Sequence, residues 1–154
     1  MEEQPVLGLK PIGIIHSLYK GRGEAPYQGC GHEEICQVEL FPEFEEGLRD
    51  IEGFSHIILI CWLHKSRGYH LLVKTPWDIV AHGLFTTRSP NRPCPLGLFV
   101  VKLVAREKNI LKVKGLDALD GTPLLDIKPY VPPVDEKANI RVGWFEGKVK
   151  SRRI

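Results

Sequence analysis

Residues 54–63 read FSHIILICWL, ten positions apolar on both faces of an extended chain and rich in β-branched side chains. That pattern fits the central, fully buried strand of a fold, because a strand with one wet face alternates apolar and polar residues. The run is too short for a membrane. Its wholly apolar part is the seven residues 57–63, against the roughly 20 that a spanning helix needs. His56 and His64 stand near its two ends, on one strand face but about 26 Å apart at about 3.3 Å per residue, so they cannot share a ligand. His64 and Lys65 close the strand, and His64 either faces a site or satisfies a local hydrogen bond.

Downstream lies HGLFTTRSPNRPCPLG, residues 82–97. Pro90, Pro93 and Pro95 fix three φ angles and remove three backbone donors, so the segment is neither helix nor central strand but a stiff loop. On it sit Arg88 and Arg92, planar five-donor forks suited to a phosphate or carboxylate, on a backbone that loses little entropy when it binds. A surface turn with merely solvated arginines would read the same way. Between the two stretches, residues 71–74 and 83–87 are short strand candidates around a turn that holds Trp77.

Residues 98–104 look like another buried strand, and 106–109 a turn into ILKVKG, where Leu111 and Val113 alternate with Lys112 and Lys114. That is a hairpin whose outer lysines mark a protected edge. Next comes LDALDGTPLLDIKPY, residues 116–130, with a tight turn at Asp120 and Gly121. If the chain then runs extended, Asp126, Lys128 and Tyr130 share one face and Leu125 and Ile127 the other. An acid, a base and a phenol in a row fit either a catalytic set or an ion pair beside a surface tyrosine.

Upstream, ICQVEL at 35–40 alternates, with Cys36, Val38 and Leu40 on the inward face. Pro42 ends it, and Phe44, Leu48 and Ile51 then recur at the spacing of one short helix, with Glu43, Glu45 and Glu46 toward its start. PIGIIHS at 11–17 reads as the first strand. The loop behind it holds Gly21 and Gly23, but Pro26 stands where the third glycine of a dinucleotide fingerprint should fall, so there is no Rossmann site. Gly29 and Gly31 either let backbone approach a ligand or make a plain turn.

The chain has 154 residues, one domain's worth, and its 12 prolines and 15 glycines favour many short elements over long helices. A formal charge of +2 permits an anionic partner without demanding one. Cys30, Cys36, Cys61 and Cys94 contain no C-x-x-C pair, and the spacing of Cys30, His32 and Cys36 matches no common zinc site, so no metal is expected. The start, MEEQP, lacks the basic-then-apolar pattern of a leader, which makes the cytoplasm the expected compartment. Short strands, many turns and one or two short helices define a mainly β fold, an antiparallel β-barrel-like single domain over residues 1–135. Residues 136–154 form a basic tail, with Trp144 and Phe145 as a docking pair before Lys148, Lys150, Arg152 and Arg153.

Taken in order, PIGIIHS, EGLRDIEGFSHIILICWLHKS, HGLFTTRSPNRPCPLG and LDALDGTPLLDIKPYVP resemble the TrmO family of S-adenosylmethionine-dependent tRNA methyltransferases, over about residues 11–132. The resemblance implies a non-Rossmann barrel methyltransferase that acts on the exocyclic nitrogen of threonylcarbamoyladenosine beside the anticodon of tRNA. It also implies a homodimer with the cofactor near the subunit interface. Carried over by position, the cofactor contacts are Gln28, Gly29 and Cys30, then His64 and Lys65, Arg92, and the turn Leu119, Asp120 and Gly121. Arg88 is assigned to the RNA or the threonyl carboxylate, and Asp126, Lys128 and Tyr130 to catalysis. Cys94 stands where the family usually has asparagine. With no counterpart here to the further C-terminal domain of bacterial members, tRNA is expected to be gripped by the barrel, the partner subunit or the basic tail.

Two other functions compete: an RNA-binding module that holds phosphates without chemistry, and a small hydrolase using Asp126 with a histidine. The hydrolase is weaker, because no serine or cysteine sits in a recognisable nucleophile setting.

Overall fold

The computed structural model describes residues 6–21 and 33–148. The mainly β antiparallel barrel expected from the sequence is the fold observed. Six strands close in the order β1 (Gly13–His16), β2 (Ile35–Leu40), β7 (Ile110–Lys114), β6 (Leu96–Glu107), β3 (His56–Trp62) and β8 (Pro123–Pro129), while β4 (Leu72–Thr75) and β5 (Asp78–Gly83) form a separate two-stranded hairpin. Closure leaves no free edge in the barrel, and alternate residues of each strand fill its interior. Ile15, Val38, Ile57, Leu59, Val101, Leu111, Val113 and Leu124 are fully buried there. Strand β1 crosses β2 so closely that a Cβ on Gly13 would lie 2.2 Å from the Glu39 carbonyl oxygen.

Several local expectations change. Strand β3 is not buried on both faces: Ile57, Leu59 and Cys61 point inward, while Ile58 and Ile60 are half-buried and Trp62 is exposed on the outer surface. The helix expected after Pro42 is two 3₁₀ turns, Pro42–Leu48 and Ile51–Gly53, separated by Asp50 at φ 70°. Phe44, Leu48 and Ile51 still pack on the core and close the lower end of the barrel. Residues 83–87 do not form a strand. Leu84–Thr86 is a 3₁₀ turn that buries Leu84 and Thr87 and exposes Phe85, and the second hairpin strand falls earlier, at β5. Strand β6 is longer than expected; it pairs with β3 through Lys102 and with β7 from there, with a register shift across Val104.

In β8 the inward residue is Leu124 rather than Leu125, because a bulge opposite Ile60 and Cys61 resets the alternation. Past the bulge Ile127 faces inward across from Leu59, and Asp126 and Lys128 face outward across from Ile60 and Ile58. One α turn, Pro132–Asp135, follows the barrel. Beyond it Trp144 stacks on His82 with ring centroids 4.1 Å apart, and Phe145 lies 5.7 Å from Trp77, so the two aromatics do dock, on the hairpin. Asp78 accepts from His82 Nε2 at 2.8 Å and also pairs with Lys148, which binds residues 136–148, a strap across the hairpin, at their far end. Lys148 and His82 together hold the Asp78 carboxyl well below its ordinary range. No helix among the described residues is long and apolar enough to cross a membrane.

Candidate functional site

Because the barrel strands alternate in direction, β1, β3 and β7 all end at the same rim, and β2, β6 and β8 all begin there. The connections at this rim are therefore residues 17–34, 63–95 and 115–122. Every residue expected to touch the cofactor lies on one of them. Gln28, Gly29 and Cys30, with His32, lie outside the described residues; the rest can be placed.

Asp120 joins the first connection to the third. Its Oδ1 accepts the Ser17 N–H at 3.0 Å, its Oδ2 accepts from Lys20 Nζ at 2.7 Å, and its own N–H donates to the Tyr19 carbonyl at 2.7 Å. The ammonium and the amide stabilise the carboxylate and lower its pKa from the ordinary value. Gly121 follows with φ 80°, the left-handed turn that glycine makes without strain. Its N–H reaches the Ile15 carbonyl at 2.8 Å, and Leu119 closes the turn by accepting from the Thr122 hydroxyl at 2.6 Å.

Lys65 ties the second connection to the first by donating to the Lys20 carbonyl at 3.0 Å. The proline loop is tied to the end of β3 in turn: Leu63 N–H donates to the Pro95 carbonyl at 2.8 Å, and the Ser66 hydroxyl to that of Pro90 at 2.9 Å. Arg92 spends Nη1 inside its own loop, on the carbonyls of Thr87 (2.9 Å) and Ser89 (3.0 Å). That bracing is a structural role the sequence did not announce. Arg88 is exposed. Cys94, also exposed, lies on the same loop.

Among the described residues, the buried polar atoms on these connections that lack a hydrogen-bond partner include His64 Nδ1 and the Tyr19 hydroxyl. Such atoms are costly unless something completes them, and a polar ligand seated in the rim would. His64 is held below its ordinary pKa by burial first and by the nearby Lys65 and Arg67 charges, against the raising influence of the Trp62 backbone carbonyl as acceptor. Its ring is thus a neutral donor or acceptor at neutral pH. Tyr19, whose pKa burial raises, stays protonated. Neither Tyr19, Lys20 nor Ser17 was singled out from the sequence as a site residue. The available signal was position alone, directly after a strand that ends beside the Asp120 turn.

The expected catalytic row is elsewhere. Asp126 and Lys128 pair at 3.1 Å on the outer face of β8, and Tyr130 lies past the strand at the lower end, its hydroxyl donating to Glu136 at 2.8 Å. That bond raises the phenol's pKa. The structure brings the described cofactor candidates to one rim, and leaves Asp126, Lys128 and Tyr130 off it.

A closed antiparallel barrel with one polar, cation-bearing rim is the architecture of a ligand-binding barrel rather than of a parallel-sheet nucleotide fold. The chain belongs to the family of the tRNA-methyltransferase O N-terminal domain, whose model matches residues 14–136. It is 51% identical over 138 residues to a probable S-adenosyl-L-methionine-binding protein of Archaeoglobus fulgidus, covering 90% of this chain and 38% of that one. A mouse tRNA (adenine(37)-N6)-methyltransferase is 35% identical over 141 residues, 86% of this chain and 33% of the enzyme. The crystal structure of TrmO from Pseudomonas aeruginosa superposes with a TM-score of 0.76 at 34% identity, covering 91% of this chain and 63% of that one. The chain thus spans between about a third and two thirds of the length of these three proteins.

Proposed function

We propose that the chain is the catalytic barrel of an S-adenosylmethionine-dependent methyltransferase that N6-methylates threonylcarbamoyladenosine next to the anticodon of tRNA, as a homodimer in the cytoplasm. The observation that carries this reading is the rim: three connections tied to one another, with His64 Nδ1 and the Tyr19 hydroxyl buried on them without a hydrogen-bond partner among the described residues. The names of the archaeal relative and of the mouse enzyme support the cofactor and the reaction.

The cofactor, when bound, supplies an electrophilic methyl group. His64 and Tyr19 would offer it hydrogen bonds, while Gly121 keeps the Asp120 turn tight and Arg92 holds the proline loop in shape. The acceptor nitrogen gains a methyl and loses a proton, so a base is required. Asp126 takes that role, with Lys128 against developing charge or the threonyl carboxylate and Tyr130 positioning the base. Because Asp126 and Lys128 lie on the outer face of β8 and not on this rim, the reading sets them against the rim of a second subunit, and the homodimer belongs to it. The outer face beside them supports it: Ile58, Ile60 and Trp62 of β3 lie opposite Val100, Leu98 and Leu96 of β6, an apolar surface continuous with Asp126 and Lys128.

Mass spectrometry of nucleosides from tRNA incubated with protein and S-adenosylmethionine tests the proposal. One added methyl on the threonylcarbamoylated adenosine is the expected product. A folded sample that gives no heat on titration with the cofactor would remove the enzyme reading and leave RNA binding without chemistry.

A further inference from the structure

Phe85 is a large apolar side chain held rigidly in water. It is 73% exposed, although Leu84 and Thr87 beside it are buried. The residues on either side of it are held by hydrogen bonds. Leu84 N–H donates to the Leu71 carbonyl at 2.8 Å, the Thr86 hydroxyl to Gly83 at 2.8 Å, and the Thr87 hydroxyl to Leu84 at 2.8 Å. The strap adds a further clamp, with Trp144 Nε1 donating to both the carbonyl and the hydroxyl of Thr86 at 3.2 and 3.0 Å. The braced Arg92 guanidinium lies over the ring, 6.0 Å from its centre. One face is thus backed by a cation, and the exposure leaves the other to solvent.

The charge of the segment that carries Phe85 states what kind of partner suits that open face. Residues 63–97 carry five cations, Lys65, Arg67, Lys74, Arg88 and Arg92, against a single acid, Asp78. Asp78 is already engaged by His82 and Lys148. A rigid aromatic in a cationic field matches an unpaired nucleobase flanked by phosphates, because every base offers a π face and every nucleotide a negative charge.

We infer that Phe85 is a stacking platform for an unpaired base of an RNA loop, with Arg88, three residues on, at a neighbouring phosphate. This rests on the tRNA reading given above and adds to it the residue that reads single-strandedness.

The test uses the full chain and two probes, a hairpin RNA with a seven-nucleotide anticodon-type loop and a fully paired RNA of the same composition, at fixed salt. Phe85→Leu keeps an apolar side chain without a π face. It is expected to raise the hairpin Kd roughly 5- to 150-fold, the range of one lost base–aromatic stack, while Phe85→Tyr and Phe85→Trp stay within about threefold of wild type. The paired RNA should bind all four proteins alike. Equal hairpin affinity for the leucine variant and wild type overturns the inference. So does a leucine variant that sediments at a lower mass than wild type, since Phe85 would then be a protein contact. Cofactor titration and methyl transfer by wild type are measured in parallel. If those fail while the leucine variant still loses the hairpin, the enzyme reading falls and the platform stands; if they succeed while the hairpin is bound equally, the platform falls alone.

Discussion

Replacing Asp120 tests whether one carboxylate holds two rim connections together. Asp120→Ala removes the acceptor of the Ser17 amide, a donor on a buried residue, and the partner of the Lys20 ammonium. A buried donor left unsatisfied costs about 1–3 kcal/mol. The Lys20 pair adds little, because the lysine side chain is 68% and the aspartate 30% exposed and such pairs are worth about 0–1 kcal/mol. Asp120→Ala is therefore expected to lose about 1.5–3 kcal/mol, a fall in Tm of roughly 4–10 °C for a chain of this size. Asp120→Asn keeps an oxygen for the Ser17 amide and gives up only the charge, so its loss should stay under about 1 kcal/mol. The pH dependence separates the two contributions. The folded pKa lies below the ordinary 3.8, so the charge stabilises the fold fully above that value and is lost as pH falls from it through the lower folded value. The gap between wild type and Asp120→Asn should close over that window, and the gap between the two variants should persist. Thermal and urea unfolding at pH 7 and in acid read both. Alanine and asparagine variants that unfold together at pH 7 would refute this account of the rim.

Three further outcomes follow from the geometry. Gly13→Ala forces a Cβ to 2.2 Å from the Glu39 carbonyl oxygen, a backbone atom that moves only if β1 and β2 part, so urea unfolding should show a loss of about 3 kcal/mol or more. A variant near wild-type stability would contradict the register. The His64 ring should titrate below 6.5 by proton NMR, and since its folded pKa is depressed, the stability it governs is present above 6.5 and lost as pH falls through the window beneath; a midpoint at or above 6.5 would count against a buried, cation-flanked ring. Asp126→Asn and Tyr130→Phe should each lower kcat under single-turnover conditions and leave cofactor affinity intact. Wild-type rates in both would send the search for the base to His64.

Some of this was legible in the sequence because burial leaves a period. ICQVEL became β2 with the same limits, and Cys36, Val38 and Leu40 are buried, since in a closed barrel one face of every strand is interior. The turn before ILKVKG was readable for the same reason. Where local geometry breaks the period, the reading slipped. The bulge at Leu125 shifts the inward position by one residue, and nothing in LLDIK marks it. Phe44, Leu48 and Ile51 kept their apolar spacing through two separate 3₁₀ turns, because spacing records which face is covered and not which hydrogen bonds form. In GLFTT the buried residues are Leu84 and Thr87, three apart, which is the signature of a turn rather than a strand. The apolar outer face of β3 was mistaken for interior because a sequence does not distinguish a side chain covered by its own chain from one left on the outer surface. The candidate rim residues came from the resemblance, and the unpartnered His64 Nδ1 and Tyr19 hydroxyl are visible only in the folded chain, where burial depends on contacts distant in sequence.

The hairpin of β4 and β5 shares no ladder with the barrel among the described residues. Amides of β3, paired with β6 on one side and β8 on the other, exchange with solvent only when the barrel opens as a whole, whereas those of the hairpin need only its own few pairs to separate. The proline loop starts where that hairpin ends. Its registration on the rim therefore depends on the Trp144 bonds to Thr86 and on the Ser66 bond to Pro90, and a deuterium-exchange map should show two cooperative units. The fast unit carries Phe85 and Arg88, so whatever loosens the strap sets the rate at which that part of the surface rearranges, with the barrel unchanged beneath it.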